Sequence, residues 1–159
     1  FRAEERTFSL VTQLAGRSGR SRTGGKVIVQ TLAPGSPSIS HAATHDSAGF
    51  LAGELDRRRE LGYPPFSHLI RIQLAAEAEP DVERAANLVA ARLDDALPAG
   101  AEMLGPAPMF RARNRYRRRL LVRSTTRAES IAAVHSTIEE LLADKSLRKI
   151  TLAIDVDPQ

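Results

Sequence analysis

The chain has 159 residues and is 42% hydrophobic, enough to bury one good core or two small ones and too apolar for intrinsic disorder. It has no cysteine, which excludes disulfides and cysteine zinc sites, and no run of about 18 apolar residues that would form a membrane-spanning helix. Its net charge of +4 is unevenly spread: eight arginines and no acid lie between Arg111 and Arg127, so that segment carries +8 and the remainder −4. A local basic patch on an acidic body points to a polyanionic partner. Arginine richness by itself says less, since only Lys26, Lys145 and Lys149 of the 23 basic residues are lysines, as a G+C-rich genome would produce. The chain starts at Phe1 and has no signal-peptide pattern, so it reads as a cytoplasmic fragment of a longer protein.

From Phe1 to Ala15, Phe8, Val11 and Ala15, with Leu10 and Leu14 beside them, recur at three- and four-residue steps, which predicts an amphipathic helix ended by Gly16 and Gly19. A Ser/Arg/Thr/Gly loop follows, then Lys26 to Leu32 as a short strand bounded by Gly25 and Pro34. Residues 34–40 read as loop. Residues 41 to about 61 read as helix, with Phe50, Leu51 and Leu55 apolar and a solvated run from Asp56 to Glu60. His41 and His45 can share a helix face, but exposed or capping roles outweigh a metal pair, and no metal site is expected. Tyr63-Pro64-Pro65-Phe66 cannot continue a helix, because proline lacks an amide donor and restricts the residue before it. The boundaries expected are therefore 1–33, 34–62 and 63–159.

In the last region, His68 to Ala75 alternates as a strand, and Asp81 to Leu97 is helical, with Pro80 in a first turn that tolerates it. Met103 to Phe110 is a proline-punctuated extended segment, Arg115 to Ser124 a strand, Ala128 to Ala143 a helix and Lys149 to Asp157 a last strand. This order predicts an α+β sandwich, with helices on one face of a small sheet.

Two constellations carry chemistry. In Gln13-Leu14-Ala15-Gly16-Arg17-Ser18-Gly19-Arg20, two arginines three apart each follow a glycine at a helix end. They suit an arginine finger on a transferring phosphoryl group, or a helix cap with cations at the negative dipole end. The second is Arg111 to Arg119, six arginines in nine residues around Tyr116. Strand alternation puts Arg115, Arg117 and Arg119 on one face and Tyr116 and Arg118 on the other with Leu120 and Val122. Such a row can track a phosphate backbone while Tyr116 stacks on a base. The alternative is a solvated edge strand made basic against aggregation, with Tyr116 in the core.

QLAGRSGR resembles the sixth motif of superfamily-two helicases, Gln-x-x-Gly-Arg-x-Gly-Arg, at every specified position. With GKVIVQT, RRELGYPPFS, LGPAP and DVDPQ following in order, the whole chain resembles the primosomal protein N′ (PriA) family of replication-restart helicases. The resemblance implies the C-terminal portion of a RecA-like lobe followed by a small ribosomal-protein-like α+β domain. Arg17 and Arg20 would be the nucleotide-sensing arginines, with Gln13, Gly16 and Gly19 completing the motif. It implies ATP and magnesium, held mostly by another lobe, and a zinc element whose ligands this chain lacks. It also implies as partners single-stranded and branched DNA, other primosome proteins and the C-terminal tail of the single-stranded DNA-binding protein. Arg127 matches an arginine that grips that tail; the family's glutamine one turn on is Ile131 here, so half of that polar grip is missing.

The chain contains no GxxxxGK[ST]: residues 19–27 carry an extra glycine and no Ser or Thr after Lys26. Alone it is expected not to hydrolyse ATP, and whether the parent protein is an active helicase stays open. Two further readings compete: a stand-alone RNA- or ribosome-associated module, and a docking domain for the single-stranded DNA-binding protein. Residues 1–33 discriminate the first, because an RNA binder has no need of QLAGRSGR.

Overall fold

A computed structural model describes residues 2–18, 26–143 and 145–158, which form two units, 1–61 and 62–159. In the first, α1 (Ala3–Ser18), α2 (Pro37–Ala43) and α3 (Ser47–Glu60) pack together. Phe8 of α1 stacks on Phe50 of α3, ring centroids 4.3 Å apart and nearly parallel. Beside this stack, Arg58 of α3 donates to Glu5 of α1 (2.8 Å) and to the buried Glu54 (2.8 Å), and Glu54 also meets Arg57. Asp46 caps α3 through the Gly49 amide (2.9 Å) and pairs with His41 Nδ1 (2.9 Å), and a Cβ at residue 49 would collide with both partners.

Several expectations change here. Helix α1 runs through Gly16 to Ser18, because a glycine in a last turn costs only about 1 kcal/mol. The run from Asp56 to Glu60 is not wholly solvated: Arg58 is only 12% exposed, turned in to meet Glu5 and Glu54. A helix begins at Pro37, inside the expected loop, and His41 and His45 share no helix face, since His45 breaks the chain between α2 and α3 with φ +56°. Lys26 to Leu32 forms no strand. A strand needs a ladder partner for its amides and carbonyls, and among the described residues of this unit there is none. Val27, Ile28, Val29 and Leu32 accordingly stay exposed. No RecA-like sheet is formed by the described residues.

The second unit is the expected small α+β domain. Strands β1 (His68–Ala76), β2 (Glu102–Ala112), β3 (Arg115–Ser124) and β4 (Thr151–Val156) form one antiparallel sheet in the order β2-β3-β1-β4. Helices α4 (Glu79–Ala96) and α5 (Arg127–Ala143) lie on one face. Ile70, Ile72 and Leu74 of β1 and Leu120 and Val122 of β3 bury against Val82, Val89 and Leu93 of α4 and Val134, Ile138 and Leu141 of α5. Each such side chain contributes about 1.5–3 kcal/mol.

The extended segment around Met103 is a full strand. Outermost position explains how β2 accommodates Pro106 and Pro108, which lack amide donors. Gly105 sits at φ +106°, where a Cβ would lie 2.6 Å from the Arg119 carbonyl oxygen. Gly105→Ala is expected to cost about 1–3 kcal/mol, read as a lower thermal midpoint. An unchanged midpoint would mean that β2 has room to relax.

Candidate nucleic-acid interface

Strand β3 is an interior strand between β2 and β1, so the reading of an edge strand kept basic against aggregation fails on topology. Its alternation splits the arginine run between two faces. On the helix side, Arg118 pairs with Glu79 at the start of α4 (3.0 Å) and Tyr116 packs against the core. On the other side, which carries no helix of this unit, stand Arg115, Arg117 and Arg119, successive members about 6.7 Å apart.

The register sets their neighbours. Arg117 lies between Met109 of β2 and Ala75 of β1, with Thr151 of β4 beyond, and its guanidinium approaches the Met109 sulfur at 3.9 Å. Arg119 lies between Ala107 and Gln73, with Ala153 beyond. These alanines are too short to mask the arginines. Arg115 reaches across β1 to the Thr151 hydroxyl (2.7 Å) and lies 3.7 Å from Glu77. Arg71, on the same face, pairs with Asp155 at 2.5 Å.

Strands β2 and β3 meet in a two-residue turn with Arg113 (φ +50°) and Asn114 (φ +60°) both left-handed, which matches the right-handed twist of a hairpin. Asparagine tolerates that conformation, and its Oδ1 accepts from Arg111 (2.6 Å), whose guanidinium also lies 4.6 Å from the centroid of the Tyr116 ring. Among the described residues, Arg111, Arg113, Arg117 and Arg119 meet no carboxylate, whereas Arg115, Arg118, Arg123 and Arg127 each do. Four unneutralised cations at one hairpin set up a field for a polyanion.

Arg127 starts α5 and donates through Nε to Asp157 (3.0 Å). Asp157 also accepts from the Leu69 amide (3.3 Å) and lies 3.5 Å from His68 Nδ1, tying the start of α5 to the end of β4. Burial on its own would raise the Asp157 pKa, but the Arg127 and Leu69 hydrogen bonds and the nearby positive charge outweigh it and hold the carboxyl below its ordinary value. A depressed pKa contributes stability that is complete above the unfolded value, about 3.9, and lost as pH falls through the lower folded value. Asp157→Asn should therefore flatten the acid limb of the stability curve below about pH 4, by under about 1 kcal/mol because the pair is partly exposed. An identical acid limb in the variant would remove the Arg127 pair from the stability account.

Of the first constellation, Gln13, Gly16 and Arg17 lie exposed along the last turns of α1, with Gln13 reaching Ser9 Oγ at 3.5 Å. Gly19 and Arg20 fall outside the described residues. The acids of α1 are committed at its other end, Glu4 to the Ser38 amide and Glu5 to Arg58. Among the described residues, none around Arg17 supplies a phosphate loop or magnesium carboxylates. No group of three or more His, Asp or Glu among them could hold a metal ion, and no helix of theirs is long and apolar enough to cross a membrane.

Sequence reasoning missed the hairpin turn, the exposed Phe110, and Arg71 and Gln73 on the open face. The last two were detectable as the polar members of an alternation with Ile70, Ile72 and Leu74.

Fold and surface together define a small α+β domain with a cation-rich hairpin, preceded by three helices, the first of which carries Arg17 in its last turn. Residues 59–159 match the family model described as primosomal protein N C-terminal domain. The chain is 37% identical over 160 residues to the replication restart protein PriA of Synechocystis, covering 99% of this chain and 19% of that protein. It is 31% identical to PriA of Bacillus subtilis (99% and 20%) and 36% identical to PriA of Treponema pallidum (99% and 24%). The chain belongs to the primosomal protein N (PriA) family. It spans about a fifth of the length of these relatives.

Proposed function

We propose that this chain is the DNA-gripping and partner-docking part of a replication-restart protein, acting at stalled or branched forks. The observation that carries the reading is the interior strand β3, which presents Arg115, Arg117 and Arg119 on a face free of this unit's helices, beside a turn whose Arg111 and Arg113 meet no carboxylate among the described residues. Phosphate contacts of this kind position a strand without reading its sequence. Arg111 and Arg113 extend the grip to the turn. Arg118 supports it from the helix side, and Tyr116 braces Arg111.

In the complete protein, Arg17 and Arg20, with Gln13, Gly16 and Gly19, face ATP and magnesium held by another lobe, coupling hydrolysis to unwinding. Residues 1–33 then end the second motor lobe, 34–62 connect, and 63–159 form the DNA- and partner-binding domain. Arg127 receives the tail of the single-stranded DNA-binding protein: among the described residues its Nε alone is engaged, with Asp157, which leaves terminal nitrogens for a carboxylate.

The test is binding of the chain to fluorescent single-stranded and forked DNA across salt concentrations. Neutralising three or four phosphates makes log K fall against log salt with a slope of about −2 to −4. Absence of binding at low salt would overturn the reading and leave a partner-docking domain.

A further inference from the structure

We infer that Phe110 is the side chain on which an unpaired base of a bound single strand stacks. The inference rests on the nucleic-acid reading above and assigns within it a residue that neither sequence pattern nor family match picks out. Phe110 lies in β2 at the register shift between Met109 and Ala112, next to the hairpin turn, and its side chain is 96% exposed. Among the described residues of the sheet domain it is the most exposed large apolar side chain. A phenyl ring left in water at the hairpin contributes no burial to the fold and is open to a partner with an apolar face.

The surroundings say which partner. Phe110 lies in the chain between Met109, whose sulfur meets the Arg117 guanidinium at 3.9 Å, and Arg111, and so belongs to the same hairpin as Arg111, Arg113 and Arg117, three cations that among the described residues meet no carboxylate. An apolar protein surface would leave those charges unpaired. A single-stranded nucleic acid satisfies both features at once, phosphates on the arginines and a base on the ring. Tyr116 does not compete for this role: it packs on the core, and the Arg111 guanidinium covers its ring.

The chain has no tryptophan, so Phe110→Trp installs a single indole reporter. Its emission should be quenched saturably by a short oligothymidylate and much less by a fully paired duplex. Phe110→Ala should weaken oligothymidylate binding about 5- to 150-fold, the range that stacking of one base spans, with the salt slope and thermal midpoint unchanged, while Phe110→Tyr stays near wild type. If fluorescence anisotropy shows the oligonucleotide bound but the indole is unquenched and Phe110→Ala binds as wild type does, the stacking assignment is overturned and the phosphate grip stands. A lower midpoint in Phe110→Ala would likewise overturn it in favour of a packing role. If no variant and no wild-type chain binds the oligonucleotide, the nucleic-acid reading itself falls.

Discussion

Replacing Arg115, Arg117 and Arg119 together is expected to flatten the salt dependence of DNA binding by about 2 units of slope, taking roughly −0.7 per lost contact on a single strand. The counterion-release contribution of three contacts is about 100-fold at 0.1 M salt, so affinity should fall by about that factor. The loss should be the same for all sequences, because phosphates carry no base information. These side chains project from an interior strand on the side away from the helices, so the variant should keep its fold; circular dichroism and the thermal midpoint check this first. An unchanged slope in a folded triple variant would move the DNA site elsewhere on the chain. The effect should exceed that of Arg118→Ala, since Arg118 is already neutralised by Glu79.

The second large effect is one of stability. Arg58→Ala removes the cation between Glu5 and Glu54 and leaves Glu54, almost fully buried, with Arg57 as its remaining partner. Breaking a buried pair by deleting one member costs about 3–5 kcal/mol, and the surviving Arg57 contact puts this case near 3. The direction agrees with the ionisation of the group. Burial alone would lower the Arg58 pKa, but its hydrogen bonds to Glu5 and Glu54 raise it, and Arg58 in turn holds Glu5 below the ordinary carboxylate range. Hydrogen exchange should show lost protection in α1 and α3 with the β-sheet protected as before. Arg58→Met combined with Glu5→Gln and Glu54→Gln should recover much of the loss, since a neutral cluster of similar volume has no stranded charge. A cost under about 0.5 kcal/mol for Arg58→Ala would place the cluster effectively in water.

The sheet domain was legible in the sequence because its signals are local. Alternation in residues 68–75 and 115–124 and the three- and four-residue steps of the two helices each report a half-buried element without reference to anything distant. Lys26 to Leu32 misled for the complementary reason: its composition suits a strand, but a strand exists only where a ladder partner is present. The charge run around Arg58 misled because composition cannot show which of three successive arginines faces inward, a matter decided by where Glu5 arrives from another helix. Much the same separates the two ends of the arginine run. Alternation sorted Arg117 from Arg118 correctly, but that Arg118 meets Glu79 depends on the path of α4. Phe110 went unremarked because a lone aromatic in an extended segment ordinarily reads as core, and only its exposure in the fold distinguishes the two.

The strand order also sets the loop-closure entropies against which this domain assembles. Strands β2 and β3 are joined by two residues and can zip within microseconds, as hairpins do. Strand β1 must then find β3 across α4 and β2, and β4 closes on β1 last, pairing Ile70 with Val156. That final pairing encloses nearly the whole domain and carries the largest loop-closure entropy. During synthesis on the ribosome, β1 emerges early and waits for its second neighbour until the last strand is clear of the exit tunnel. The arginine hairpin, by contrast, is complete well before then, so the nascent chain presents its cationic element ahead of the finished sheet.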